Sequence, residues 1–92
     1  MYALYFAQKM RPEQYQAIED RLIADGHAHP SGRLYHFVID TDEGIDVFDV
    51  WDSPGSFDAF RPVIRPLLEA GEVAMGAPQG GDVRSLTLPA DA

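Results

Sequence analysis

"RLYHFVIDTDEGIDVFDVWD", residues 33–52, consists of two β-branched and aromatic runs, 33–40 and 45–52, joined by Thr41-Asp42-Glu43-Gly44. This pattern predicts a β-hairpin. With a four-residue turn, Asp40 pairs with Ile45, Val38 with Val47, His36 with Asp49 and Leu34 with Trp51. Directly opposed residues share a sheet face. Leu34, Val38, Val47 and Trp51 therefore take one face, and Tyr35, Phe37, Ile39, Phe48 and Val50 take the other. A sheet with one wet face would place polar residues at alternate positions. Here both faces are largely apolar.

The flanking segments supply the remaining elements. "YALYFAQ" (2–8) reads as a strand. "RPEQYQAIEDRLIADG" (11–26) reads as a helix, with Pro12 in its first turn, Gly26 as its stop and an apolar stripe of Tyr15, Ile18 and Leu22. After the hairpin, Ser53 is an N-cap and Pro54 the first helical residue of a segment whose Phe57, Phe60, Ile64 and Leu67 recur at helical spacing. Pro62 and Pro66 lie inside that pattern, so a break or kink is expected near 61–66. A Gly/Ala/Pro-rich connection (71–82) leads to a last strand expected at 83–88. The order β-α-β-β-α-β is the ferredoxin-like, split βαβ unit, an α+β fold. Right-handed crossovers give an antiparallel sheet of order 4-1-3-2. Two helices cover one sheet face, and the apolar second face calls for a second copy of the chain, closing a homodimeric α+β barrel.

Composition narrows the function classes. Ninety-two residues make a single domain, 1–92, and a chain this short buries only ~60–65 % of its unfolded surface, so association would help it. The net charge of −8 argues against nucleic acid and anionic membrane surfaces, which need a basic patch. The absence of cysteine excludes disulfides, thiolate catalysis and cysteine-based metal sites. The apolar start lacks a basic leader and a cleavage site, and no apolar run approaches the ~18 residues of a membrane span, so a cytoplasmic protein is expected.

All three histidines fall within residues 27–36. His27 and His29 could point the same way from an extended loop, but two ligands are too few for a zinc site, which takes three or four. They read as a solvated loop after a helix, and no metal is expected. His36 is mid-strand and opposite Asp49. A carboxylate on one ring nitrogen fixes the tautomer and raises basicity, leaving the other nitrogen for substrate. This pair is the best acid–base candidate, with a satisfied structural pair as the alternative. Tyr5 or Tyr35 is favoured by strand position to reach a ligand. Asp40, Asp42, Glu43 and Asp46 read as a solvated acidic turn without the ordered ligands of a calcium loop.

"GIDVFDVWDSPGSFDAF" (44–60) resembles the strand-to-helix segment of the antibiotic-biosynthesis-monooxygenase-like dimeric α+β barrel superfamily, in which an aliphatic strand is followed by Trp, an acidic residue, Ser and a helix with two spaced aromatics. "MYALYFAQKMRPEQY" and "PSGRLYHF" are similar to small actinobacterial members with no assigned activity. The resemblance spans roughly residues 1–70 and implies the fold and the dimer. Trp51 matches the strand-end Trp. Haem-degrading members carry an Asn on the first strand, a distorting Trp where this chain has Phe60, and a haem-ligating His where it has Ala70. This chain has no Asn at all, so haem degradation is rejected and no cofactor is expected.

The reading is a homodimer that binds a small apolar or aromatic molecule between sheet and helices. Its chemistry would be cofactor-free oxidation or acid–base isomerisation. His36 is the base, Asp49 orients it, and Tyr5, Tyr35, Trp51 and Phe60 line the substrate. The alternative is a non-catalytic binding or structural dimer with a filled core. A pocket of ~300 Å3 or more with convergent polar groups favours the first, and a solid core the second.

Overall fold

The computed structural model describes residues 1–74 and 76–90. Its elements run β1 (Tyr2–Met10), α1 (Pro12–Ala24), β2 (Arg33–Thr41), β3 (Gly44–Trp51), α2 (Pro54–Ala70) and β4 (Gln79–Asp82). The four strands form one antiparallel sheet of order β2-β3-β1-β4, the expected order read from the other edge. Both helices pack on one face. Ile18 and Leu22 of α1 and Phe57, Phe60 and Leu68 of α2 join Leu4, Phe6, Ile45, Val47 and Trp51 in a single core. Trp51 is completely buried. Among the described residues no helix is long and apolar enough to cross a membrane.

Hairpin pairing follows the turn as far as Tyr35: Asp40 opposes Ile45, Val38 opposes Val47, His36 opposes Asp49 and Tyr35 opposes Val50. Beyond it the register slips. Arg33, not Leu34, pairs with Trp51, because β2 carries one extra residue between Arg33 and Tyr35. Such a bulge leaves one residue unpaired and turns the strand's faces over. Leu34 is thereby left half exposed. A second irregularity lies between Phe6 and Met10 of β1, where Lys9 takes a left-handed φ of 52°. Gly44 (φ 127°) packs directly on this bulge: a Cβ there would lie 2.5 Å from the Lys9 carbonyl oxygen.

Two other expectations are corrected. Helix α2 runs unbroken from 54 to 70 through Pro62 and Pro66. Both prolines are exposed, as are residues 58 and 62 four positions earlier, so water can satisfy the carbonyls whose partners they remove. Ser53 caps the helix as expected, its hydroxyl accepting from Ser56 N at 3.3 Å. The last strand is 79–82, not 83–88. It pairs with β1 through Gly80 and Gly81, opposite Leu4 and Ala3. A Cβ on Gly80 would come within 2.7 Å of Leu4 Cδ2 and 2.9 Å of the Tyr2 hydroxyl. Glycine is what lets β4 lie under those side chains. Residues 83–88 form no regular element, and their Leu86 and Leu88 are exposed.

Candidate acid–base site

Val38, Val47, Asp49 and Trp51 point under the helices, and so does His36, because cross-strand partners share a face. His36 and Asp49 meet there. The Asp49 side chain is 7 % exposed and its Oδ1 lies 2.6 Å from His36 Nδ1. An ionised carboxylate only accepts, so Nδ1 carries the proton and donates to Asp49. Nε2 of the neutral ring is then an acceptor, and the Tyr15 hydroxyl donates to it at 3.1 Å. Tyr15 comes from α1, its ring nearly parallel to the imidazole at 15°. One turn further along α1, Glu19 brings Oε1 to 4.0 Å from the same Nε2. Burial, with the Glu19 carboxylate adding to it, pushes the Tyr15 hydroxyl up to about 12. Tyr15 is therefore a neutral phenol across the physiological range.

This chain of groups, Tyr15 to His36 to Asp49, forms the polar end of a cavity of about 60 Å3 between sheet and helices. Its wall is mainly apolar, with Phe6, Phe57, Phe60 and Ile64 among the lining side chains. A single water needs at least ~10–15 Å3, so the cavity holds no more than a few waters. Solvent reaches the polar end past His36 and Glu19, whose side chains are 21 % and 22 % exposed. Arg33 also lines it, donating to the Ala28 carbonyl at 3.1 Å and holding its guanidinium 5.9 Å from the Phe60 ring centre. Gln8, on the same face of β1 as Leu4 and Phe6, lines the same wall.

Of the residues singled out in the sequence, the structure brings His36, Asp49 and Phe60 to this cavity. Trp51 lies behind it, packed on Phe60 with ring centres 5.7 Å apart. Tyr5 and Tyr35 do not reach it. Tyr5 pairs with Phe48, and Tyr35 with Val50, on the face away from the helices. There Tyr5, Phe48 and Phe37 stack in a row across three strands, with centroid spacings of 4.7 and 4.9 Å. The Tyr5 hydroxyl donates to Asp46 Oδ2 at 2.9 Å, and this hydrogen bond holds the proton on, pushing its pKa above the usual phenol value. His27 and His29 are exposed in the loop after α1. Among the described residues no group of three or more His, Asp or Glu side chains is placed to hold a metal ion.

Sequence reasoning missed Tyr15 and Glu19 as site residues. Tyr15 was legible only as part of the apolar stripe of α1. Its four-residue spacing from Glu19 was the available signal, since it places both on one helix face. Which strand that face crosses is a tertiary fact.

No family model matches the chain, and no curated protein matches it. Solved structures do. A protein of unknown function from Nitrosomonas europaea, NE2512, is 22 % identical with a TM-score of 0.62, over 97 % of this chain and 94 % of the other. A "putative Antibiotic biosynthesis monooxygenase" from Chloroflexus aurantiacus J-10-fl is 22 % identical with a TM-score of 0.61, over 96 % and 98 %. At that identity the likeness is one of fold: the chain shares the ferredoxin-like α+β architecture of both proteins along almost its whole length.

Proposed function

We propose that the chain is a homodimeric, small-molecule-binding α+β barrel protein of the antibiotic-biosynthesis-monooxygenase-like kind. In this reading it works in the cytoplasm and performs cofactor-free acid–base chemistry, an isomerisation or an oxidation begun by proton removal, on a small apolar or aromatic molecule. His36 is the base and Asp49 its orienting carboxylate. The observation that carries the reading is the hydrogen-bonded run from Asp49 through His36 to Tyr15, ending in an apolar cavity. A half-buried imidazole with a carboxylate on one nitrogen and an exchangeable partner on the other has the layout of a general base. The fold shared with a protein named as a monooxygenase supports the class.

The dimer is supported by the face the helices leave bare. Tyr35, Phe37 and Ile39 are 43 %, 55 % and 40 % exposed along β2, beside the aromatic row. Contiguous apolar surface of this kind marks an interaction site.

The cavity's size favours a second reading. About 60 Å3 is well under the ~300 Å3 of a typical ligand pocket, so the alternative is a non-catalytic dimer whose core is nearly filled. Native mass spectrometry of the protein drawn from its own cell lysate separates the two. A dimer carrying a small-molecule mass that denaturation releases is the expected result. A bare dimer would transfer the weight to the second reading, and a monomer would remove the dimer from both.

A further inference from the structure

His36 offers a ligand one nitrogen, and that nitrogen is already occupied. Nδ1 is held by Asp49 at 2.6 Å, while Nε2 has the Tyr15 hydroxyl at 3.1 Å and Glu19 at 4.0 Å. Tyr15 lines the cavity on the α1 side and presents its hydroxyl over the imidazole edge. A phenol has one proton to donate and two lone pairs. Its proton is within reach of both Nε2 and the Glu19 carboxylate, and with either acceptor its lone pairs remain to meet a molecule in the cavity.

We propose that Tyr15 is the ligand-facing group of this site and that His36 acts through it. The proposal rests on the acid–base reading of the preceding section. A ligand carrying an acidic O–H gives its proton to Tyr15 Oη as the original Tyr15 proton passes to His36 Nε2. One ligand O–H bond breaks and a new Tyr15 O–H forms. The former Tyr15 O–H breaks and an Nε2–H forms. The products are the ligand oxyanion and an imidazolium beside Asp49, with no change in oxidation state. Run backwards, the same path protonates an enolate oxygen. Tyr15 is the catalytic residue in this arrangement, and His36 is a positioning residue that stores the proton. The phenol stays protonated between turnovers because its ionisation lies far above neutrality.

The test uses para-nitrophenol, whose anion is coloured, titrated into the full chain and into Tyr15→Phe and His36→Gln, with amide NMR spectra confirming each fold. In the unmodified chain the bound probe ionises at a pH below its free midpoint. In both variants the ionised fraction of bound probe falls at least tenfold. Ionisation that survives in Tyr15→Phe and is lost in His36→Gln means that His36 takes the proton directly; it overturns the role of Tyr15 and leaves the site standing. A probe that does not bind or does not ionise in the unmodified chain overturns both. A second measurement needs no variant: ring-nitrogen NMR of His36 should show Nε2 bonded to the Tyr15 hydroxyl in the free protein and protonated with the probe bound. A bare Nε2 in the free protein would also overturn the proposal.

Discussion

Asp49 lies directly opposite His36 in the β2–β3 ladder and holds its Nδ1 at 2.6 Å on the face covered by the helices. Removing the imidazole would leave a carboxylate that is 7 % exposed without its donor. An orphaned buried acceptor costs the folded state ~1–3 kcal/mol, and His36→Ala should lose about that much. Urea unfolding followed by Trp51 fluorescence measures it. A loss below ~0.5 kcal/mol would mean that water replaces the imidazole freely.

Tyr15 gives the chain an alkaline weak point. Its hydroxyl ionises near 12 in the fold against 10.0 in an open chain. Between those values the unfolded chain releases a proton that the folded chain keeps, so stability falls as pH rises from 10 towards 12 and is unaffected below. Tyr15→Phe should remove its share of that loss. Urea midpoints of the two proteins should therefore converge, or cross, at pH 11.5 relative to pH 8. Tyr5, also raised, contributes equally to both proteins and cancels.

The uncovered sheet face makes a separable prediction. Phe37 is 55 % exposed and stacks on Phe48 in the centre of the aromatic row. Phe37→Asp should leave the fold intact and convert a dimer into a 10.2 kDa monomer by light scattering at micromolar concentration. An unmodified chain that is already monomeric there would contradict the dimer.

Gly44→Ala should be among the most damaging single-methyl changes. Its φ of 127° is nearly closed to other residues, and the added carbon would meet the Lys9 carbonyl oxygen at 2.5 Å. The backbone conformation alone costs on the order of 1–3 kcal/mol, and the collision adds to it. Gly26→Ala, with nothing near its Cβ, is the control for positive φ without the collision. Thermal unfolding of the two variants should rank Gly44→Ala clearly lower.

The His36–Asp49 contact was legible because turn length sets hairpin register, and register sets faces. The same counting failed at Leu34, because a bulge is a local backbone choice and no residue type announced it. The last strand was misplaced for a related reason. The apolar run of Val83, Leu86 and Leu88 reads as a strand, whereas Gly80-Gly81 reads as a turn until Leu4 and Tyr2 are seen leaning over it. Tyr5 and Tyr35 were correctly put on strands, yet strand position alone does not say which face the helices take. Tyr15 looked like one more apolar position of α1, since a phenol's partner is invisible until the helix is laid across β2.

The bulge at Leu34 also makes the mouth of the cavity sensitive to strand register. One unpaired residue between Arg33 and Tyr35 turns Arg33 inward against Phe60 and leaves Leu34 outside. Were the bulge absorbed with the sequence unchanged, Leu34 would oppose Trp51 and Arg33 would turn away from the cavity. A guanidinium at the entrance is thus set by backbone register rather than by residue identity alone. Two chains with identical residues here, one bulged and one not, would present opposite polarity to an incoming molecule.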